Sequence, residues 1–211
     1  SQGNSSNPVL VYNNIFNLSN ANTSYYQYGM LVGYCYYAKY HHNTIRITNT
    51  YTGSYAAYMY FSSTAYVGNE FKNNIVVSEQ TGPWTMYSYV INSTGLSMDN
   101  NVYSMDGGSD INNYNVYSGT TSYTIAAWQS STSQEANSVA EDPDFTSATN
   151  MTPQSADVNN IGAALGVATD IYGATRSTTT PDPGAIEFSV PTNNAQPSDL
   201  LNPAAPLCDE D

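Results

Sequence analysis

Short apolar stretches alternate with runs of Asn, Ser, Thr and Gly along residues 7–118, and one small phrase keeps returning among them. It reads VYNNIF at 11–16, YHHNTIRI at 40–47, FKNNIVV at 71–77 and MDNNVYS at 98–104. Counted on Asn13, Asn43, Asn73 and Asn100, the spacings are 30, 30 and 27 residues. Two positions after each Asn stands a β-branched residue: Ile15, Ile45, Ile75 and Val102. Two positions before stand Val11, His41, Phe71 and Met98. Alternation with a period of two is the mark of a strand, because successive side chains point to opposite faces. A second apolar run falls inside each period: YGMLVGY at 28–34, YAAYMYF at 55–61 and TMYSYV at 85–90.

Two or three short strands per period, with a fixed phrase at a fixed phase, predict an all-β solenoid of stacked coils, a parallel β-helix. In that arrangement Ile15, Ile45, Ile75 and Val102 stack in the interior. Asn13, Asn43, Asn73 and Asn100 form a structural ladder of amides at a bend. The coils span about 7–118. The rhythm then changes, and a Thr before TIAAWQ predicts one short helix within an irregular closing segment, about 119–190. Residues 1–190 thus make one domain. The Pro- and Asn-rich 191–211 reads as a linker toward a following module.

The order DINNYNVY, AAWQ, QEANSVAEDPDF, TDIYGATR and PDPGAIEF across residues 110–188 resembles the end of bacterial right-handed parallel β-helix proteins of the pectate-lyase-like superfamily. It is most similar to the secreted or surface-anchored, multidomain kind called choice-of-anchor Q domain proteins. The resemblance implies a right-handed coil, a secreted or cell-surface location and further domains in the same polypeptide. It also implies a role as an adhesin, glycan-binding module or spacer, with polysaccharide lyase, and less readily glycoside hydrolase, as the alternative.

Charge narrows the partners. Residues 1–69 hold no Asp or Glu and carry +2 from Lys39 and Arg46; the rest carries −15, giving the net −13. Only four Lys or Arg residues in the chain exclude nucleic acid, whose phosphates need clustered bases, and the chain has no stretch apolar enough for membrane insertion. Lyase chemistry needs a strong base and usually calcium. Lys72 beside Glu70 is the one weak catalytic candidate, otherwise a surface pair, and Asp99 with Asp106 and Asp110 reads as turn chemistry rather than a hydrolase pair. His41 and His42, adjacent on a strand, point apart, so they cannot share a metal; His41 by phase takes the inward position. No cofactor is required, and calcium at Glu135, Asp142 and Asp144 is the one ion the sequence leaves open. Arg176 is placed in a structural ion pair with Asp170, Asp182 and Glu187 that pins the closing segment. The excess of Tyr points to sugar rings or a surface partner, with Tyr55, Tyr58, Tyr60, Trp84 and Tyr87 as contact residues.

Overall fold

The computed structural model describes residues 2–19, 25–48, 54–61, 63–79, 84–90, 95–105, 111–115 and 119–190, with the backbone alone at 84–90, 111–115 and 119–122. Among the described residues the chain passes four times over three sheets. The first pass is β1 (Val9–Tyr12), β2 (Ile15–Leu18) and β3 (Tyr28–Gly33). The second is β4 (Ala38–His41), β5 (Thr44–Ile47) and β6 (Tyr55–Phe61). The third is β7 (Asn69–Lys72), β8 (Ile75–Ser78) and β9 (Trp84–Val90). The fourth is β10 (Leu96–Asp99), β11 (Val102–Met105) and β12 (Ile111–Asn115). β13 (Gly119–Tyr123) folds back, and α1 (Ile125–Thr132) follows.

Every third strand enters the same sheet. The orders are β1-β4-β7-β10, β2-β5-β8-β11 and β3-β6-β9-β12-β13. All pairings are parallel except β12 with β13. The fold is therefore all-β, built of parallel sheets, with one α-helix among the described residues. Thr124 caps that helix by accepting from the Ala127 N–H at 3.2 Å.

One core draws on all three sheets. Phe71 from the first, Ile45 and Val76 from the second, and Met59 and Phe61 from the third are almost wholly buried in it. A second, smaller core lies on the other face of the second sheet. Ile75, Val77 and Val102 pack there against Val139, Phe145, Val158, Ile161 and Phe188 of the closing segment. The uninterrupted IVV of β8 fits both duties, since a strand covered on two faces needs apolar residues at every position.

The corner between the first and second sheets corrects the phase of the repeat. Register pairs Tyr12 with His41, His41 with Lys72 and Lys72 with Asp99, and pairs Ile15 with Thr44, Thr44 with Ile75 and Ile75 with Val102. Between those pairs lie two columns. Asn13, His42, Asn73 and Asn100 form one, all with φ near +55°. Asn14, Asn43, Asn74 and Asn101 form the other, and this second column is the ladder. Asn14 Nδ2 donates to Asn43 Oδ1 at 2.8 Å, Asn43 Nδ2 to Asn74 Oδ1 at 3.0 Å, and Asn74 Nδ2 to Asn101 Oδ1 at 3.1 Å. The ladder expected through Asn13, Asn43, Asn73 and Asn100 therefore mixed two columns, and only Asn43 belongs to it. The aliphatic stack shifts likewise: Ile45 sits between Phe16 and Val76, and Thr44 neighbours Ile75. The inward residue of the second pass is Tyr40, in line with Val11, Phe71 and Met98, not His41.

The ladder ends on Glu135, which is fully buried at φ +59°. Its carboxylate accepts from Asn101 Nδ2 at 3.0 and 3.1 Å, from the Tyr103 hydroxyl at 2.6 Å and from the Ser138 hydroxyl. Burial pushes its pKa up to about 7, against the pull of those three donors.

Asn74→Ala strands the Asn43 N–H and takes the Asn74 amide donor from both Tyr40 O and Asn101 Oδ1 in a buried corner. With about 1–3 kcal/mol lost per stranded group, urea unfolding should show a loss of about 3 kcal/mol or more. Glu135→Gln should fold, because an amide oxygen still accepts from Asn101 and Tyr103. In the parent, the unfolded carboxyl ionises near its ordinary 4.5 and the folded one near 7. The unfolded chain thus holds fewer protons between these values, and stability falls as pH rises through that window. That fall should be smaller in Glu135→Gln when unfolding is measured from pH 4 to 8; the part that stays, below about pH 6, comes from Asp182, whose carboxyl burial pushes up to about 6.

Candidate functional site

The third sheet carries a cluster of tyrosines. In β6, Met59 and Phe61 turn into the core, and Tyr58 and Tyr60 alternate with them on the outer side. The rings form a connected platform. Tyr28 lies parallel to Tyr55 at 6.3 Å, and Tyr58 meets Tyr28 at 5.1 Å and Tyr55 at 5.5 Å, edge on. Tyr58 stacks with Tyr60 at 6.4 Å, Tyr60 touches Tyr34 at 5.7 Å, and Tyr66 joins Tyr34 at 5.7 Å and Tyr36 at 5.2 Å. Offset and edge-to-face contacts of this kind hold rings rigid and leave faces open. Tyr34 and Leu31 are about 60% exposed. Backbone register sets Trp84 beside Tyr55 and Tyr87 beside Tyr58; their side chains are outside the described residues. Strands β3, β6 and β9 contain no charged residue. Burial, with Tyr58 and Tyr28 nearby, pushes the Tyr55 hydroxyl up to about 12, so it stays protonated at any ordinary pH.

Of the expected contact residues, Tyr55, Tyr58 and Tyr60 fall together in the platform. Tyr28, Tyr34, Tyr36 and Tyr66 join them. The direct Tyr28–Tyr55 pairing across β3 and β6 is the signal that extends the set, and it becomes readable only when the strand register is known.

The outer face of the first sheet holds the charged residues. Glu70 bonds Lys39 Nζ at 3.0 Å and His41 Nε2 at 3.0 Å. The expected Glu70–Lys72 pair is thereby corrected: Lys39 stands directly opposite Glu70 on the neighbouring strand, closer than a residue two places along its own. Burial favours the neutral carboxyl of Glu70, but Lys39, Lys72 and His41 outweigh it and hold its pKa below the ordinary value. Burial lowers that of His41, partly offset by Glu70. Lys72 makes no ion pair among the described residues. A cavity of about 450 Å³, lined by Leu10, Tyr12, Lys39 and His41, lies under the 165–169 loop. Arg46 is engaged by Glu79 and Asn17. Asp106 and Asp110 lie outside the described residues.

The calcium candidates do not meet. Glu135 is consumed by the ladder, and Asp142 is exposed, its Oδ1 accepting from the Asp144 N–H at 2.9 Å as in a turn. Among the described residues no group of three or more His, Cys, Asp or Glu is placed to hold a metal ion, and no helix is long and apolar enough to cross a membrane.

The closing segment grips the column of left-handed residues. Asn13 Nδ2 donates to Thr169 O at 2.6 Å, Asn73 Nδ2 to Ala163 O at 2.7 Å and Asn100 Nδ2 to Ile161 O at 2.9 Å. Arg176 locks this grip. Its guanidinium donates to Asn13 Oδ1 at 2.9 Å, Gly184 O at 2.9 Å, Asp182 O at 3.1 Å and Glu187 Oε2 at 3.1 Å. The ion pair is narrower than expected, with Glu187 alone. Asp170 and Asp182 instead cap backbone: Asp170 accepts from Tyr172, Ala174 and Glu187, and Asp182 from Asn160 and Phe188. Gly184 is required twice over. Its φ is +82°, and a Cβ there would stand 2.7 Å from Ile75 Cδ1.

His42 takes the Asn place in that column. Its Nδ1 faces Asp182 O at 3.1 Å and its Nε2 faces the Asn73 amide nitrogen at 2.9 Å. A carbonyl on one side and an amide donor on the other select the neutral ring protonated on Nδ1. Burial and the nearby Arg176 depress its pKa to about 3.

Arg176→Ala should unfold at a lower temperature than the parent, because Asn13 Oδ1, Gly184 O, Asp182 O and Glu187 Oε2 all lose the guanidinium, while binding at the tyrosine platform is unchanged; calorimetry and titration check both. His42 has an ordinary pKa of 6.5 and a folded value near 3, so its contribution is complete above about 6.5 and lost as pH falls toward 3. His42→Asn, supplying the residue of the other three passes, should reduce the acid-side loss in unfolding measured from pH 7 to 3, the remainder coming from His41 and Glu70, whose pKa values are also lowered.

No protein-family model matches the chain, and no curated protein and no solved structure matches it significantly.

Proposed function

We propose that the chain is a right-handed parallel β-helix module of a secreted or cell-surface bacterial protein, and that it binds an extracellular glycan through its tyrosine platform without turning it over. The observation that carries the binding is a seven-ring cluster: Tyr28, Tyr55, Tyr58 and Tyr60 on the uncharged strands β3 and β6, and Tyr34, Tyr36 and Tyr66 in the connections that follow them. Flat rings offer C–H faces of sugars a rigid apolar surface, and phenol hydroxyls at the rim exchange bonds with sugar hydroxyls. The recurrence of every third strand in one sheet supports the helical winding, and parallel crossovers are right-handed as a rule. The order of motifs over 110–188 supports a pectate-lyase-like, choice-of-anchor Q kinship, and with it further domains and an adhesive or spacer role.

The non-catalytic reading is favoured by the state of the bases. Lys39, Arg46 and Arg176 are committed to carboxylates, and Lys72 stands on a different sheet from the rings.

The test is a panel of neutral and acidic polysaccharides, with and without calcium, followed for binding and for new reducing or unsaturated ends. Binding to at least one glycan is expected, weakened about fivefold or more by Tyr58→Ala or Tyr60→Ala, in line with about 1 kcal/mol per aromatic contact. The melting temperature should move little, since both rings are part-exposed. Turnover of any glycan would replace this reading with polysaccharide lyase or hydrolase.

A further inference from the structure

One edge of the molecule is unlike the other. β1, β2 and β3 are each outermost in their sheets, so one side of each backbone has no strand partner among the described residues. Val11 and Phe16 are only part-buried there, whereas their neighbours Tyr40 and Ile45 are buried. A hollow of about 410 Å³ opens at this level, lined by Val11, Phe16, Met30, Val32, Cys35 and Tyr40. The opposite edge is covered. Val139 bridges Val102 of β11, the Glu135 N–H bonds Met98 O of β10, and β13 closes the third sheet.

The ladder gives the open edge a polarity. At each interior step one Oδ1 accepts both the backbone N–H and the Nδ2 of the Asn before it. The distances are 3.2 and 2.8 Å at Asn43, 2.9 and 3.0 Å at Asn74, and 2.9 and 3.1 Å at Asn101. On the covered side, Ser138 Oγ receives the Asn101 N–H at 2.7 Å and Glu135 receives its amide, which ends the series. On the open side, Asn14 spends its N–H and Nδ2 on Asn43, and its Oδ1 accepts no hydrogen bond among the described residues. The edge therefore offers an acceptor shaped for two N–H donors, set between unpaired strand backbone and an apolar hollow.

That polarity selects the occupant. A second copy docked edge to edge about a twofold axis would set Asn14 Oδ1 against Asn14 Oδ1, acceptor on acceptor. A second copy docked head to tail would meet the covered edge. An extended segment running parallel to β1 and β2, with an Asn at their corner, supplies both donors and adds a strand to each sheet. We propose that this edge binds such a segment, a peptide with an apolar residue three before the ladder Asn and an apolar residue two after it. This is the spacing of Phe71, Asn74 and Val76 within the chain itself. Bound there, the peptide's Asn N–H and amide donate to Asn14 Oδ1, and its two apolar residues cover Val11 and Phe16.

The probe is the synthetic peptide GNEFKNNIVVSE, the sequence of residues 68–79, titrated into the whole chain by calorimetry. Amide hydrogen exchange locates it, and light scattering reports the oligomeric state. Expected are saturable 1:1 binding, new protection confined to β1 and β2, and about tenfold weaker binding of the same peptide carrying Asn74→Ala, the loss of one to two net hydrogen bonds. The control alters the peptide alone, so folding of the protein does not confound it. Absence of binding at millimolar peptide, equal affinity of the two peptides, or protection elsewhere would overturn the proposal. So would a dimer of the free chain protected at β1 and β2, which would assign the edge to a second copy.

Discussion

The structure depends on one amide per pass at the corner between the first and second sheets. A chain that turns sharply there must satisfy backbone groups sealed from water on both sides. Asn does this because a single short side chain both donates and accepts. Its oxygen takes two N–H groups from one neighbouring pass, and its nitrogen gives to the next pass and to a carbonyl such as Tyr40 O, 2.9 Å from Asn74 Nδ2. Asp could not donate, and Gln would overreach. Successive amides point the same way, so each polarises the next. The series then ends on the carboxyl of Glu135, which accepts the Asn101 amide, with Ser138 taking the Asn101 N–H. A buried carboxyl at that point is electrostatically strained, which ties the stability of the corner to pH.

Beside each ladder residue sits one that bends the chain. Positive φ is a strain for most side chains and a small one for Asn. The doubled Asn of the phrase is therefore two devices in sequence: the first turns the backbone and reaches outward to the closing segment, the second builds the ladder. The period was legible in the sequence because apolar strands and Asn recur together. The phase was not. The passes differ in length, with Asn14, Asn43, Asn74 and Asn101 separated by 29, 31 and 27 residues. Two adjacent Asn look alike until their φ values separate them. The second pass, with His42 in the bending position, leaves one Asn where the others have two, and counting from the first Asn slips by one there. A slip of one reverses inside and outside, which puts His41 in the inward place that Tyr40 holds.

The closing segment shows the opposite balance. Its many Pro, Gly and Asp residues were readable as turn chemistry and its helix as a capped turn, but its destination was hidden. What it covers is decided by the second sheet, where the continuous apolar run of β8 already implied burial on both faces. Arg176, the only base after residue 72, could be foreseen as a clasp. That it would hold Asn13, across 163 residues, and only one of three nearby carboxylates could not, because composition does not say which acids are already occupied by backbone N–H groups.

The molecule divides its labour by surface. The bonds that hold the closing segment go to the first and second sheets and to the corner between them. The charged residues of the strands are gathered on the first and second sheets as well, Lys39, His41, Glu70 and Lys72 on the first and Arg46 on the second. The third sheet is left with its core face packed and its outer face carrying rings that support one another through edge and offset contacts. Ring-to-ring support fixes the geometry of a binding surface without drawing on the core, so a tyrosine there can change with little effect on the fold. A face rigid enough to recognise a ligand, yet energetically separable from the scaffold, is what a binding module needs, and here that separation follows from placing the ladder and the clasp on the other two sheets.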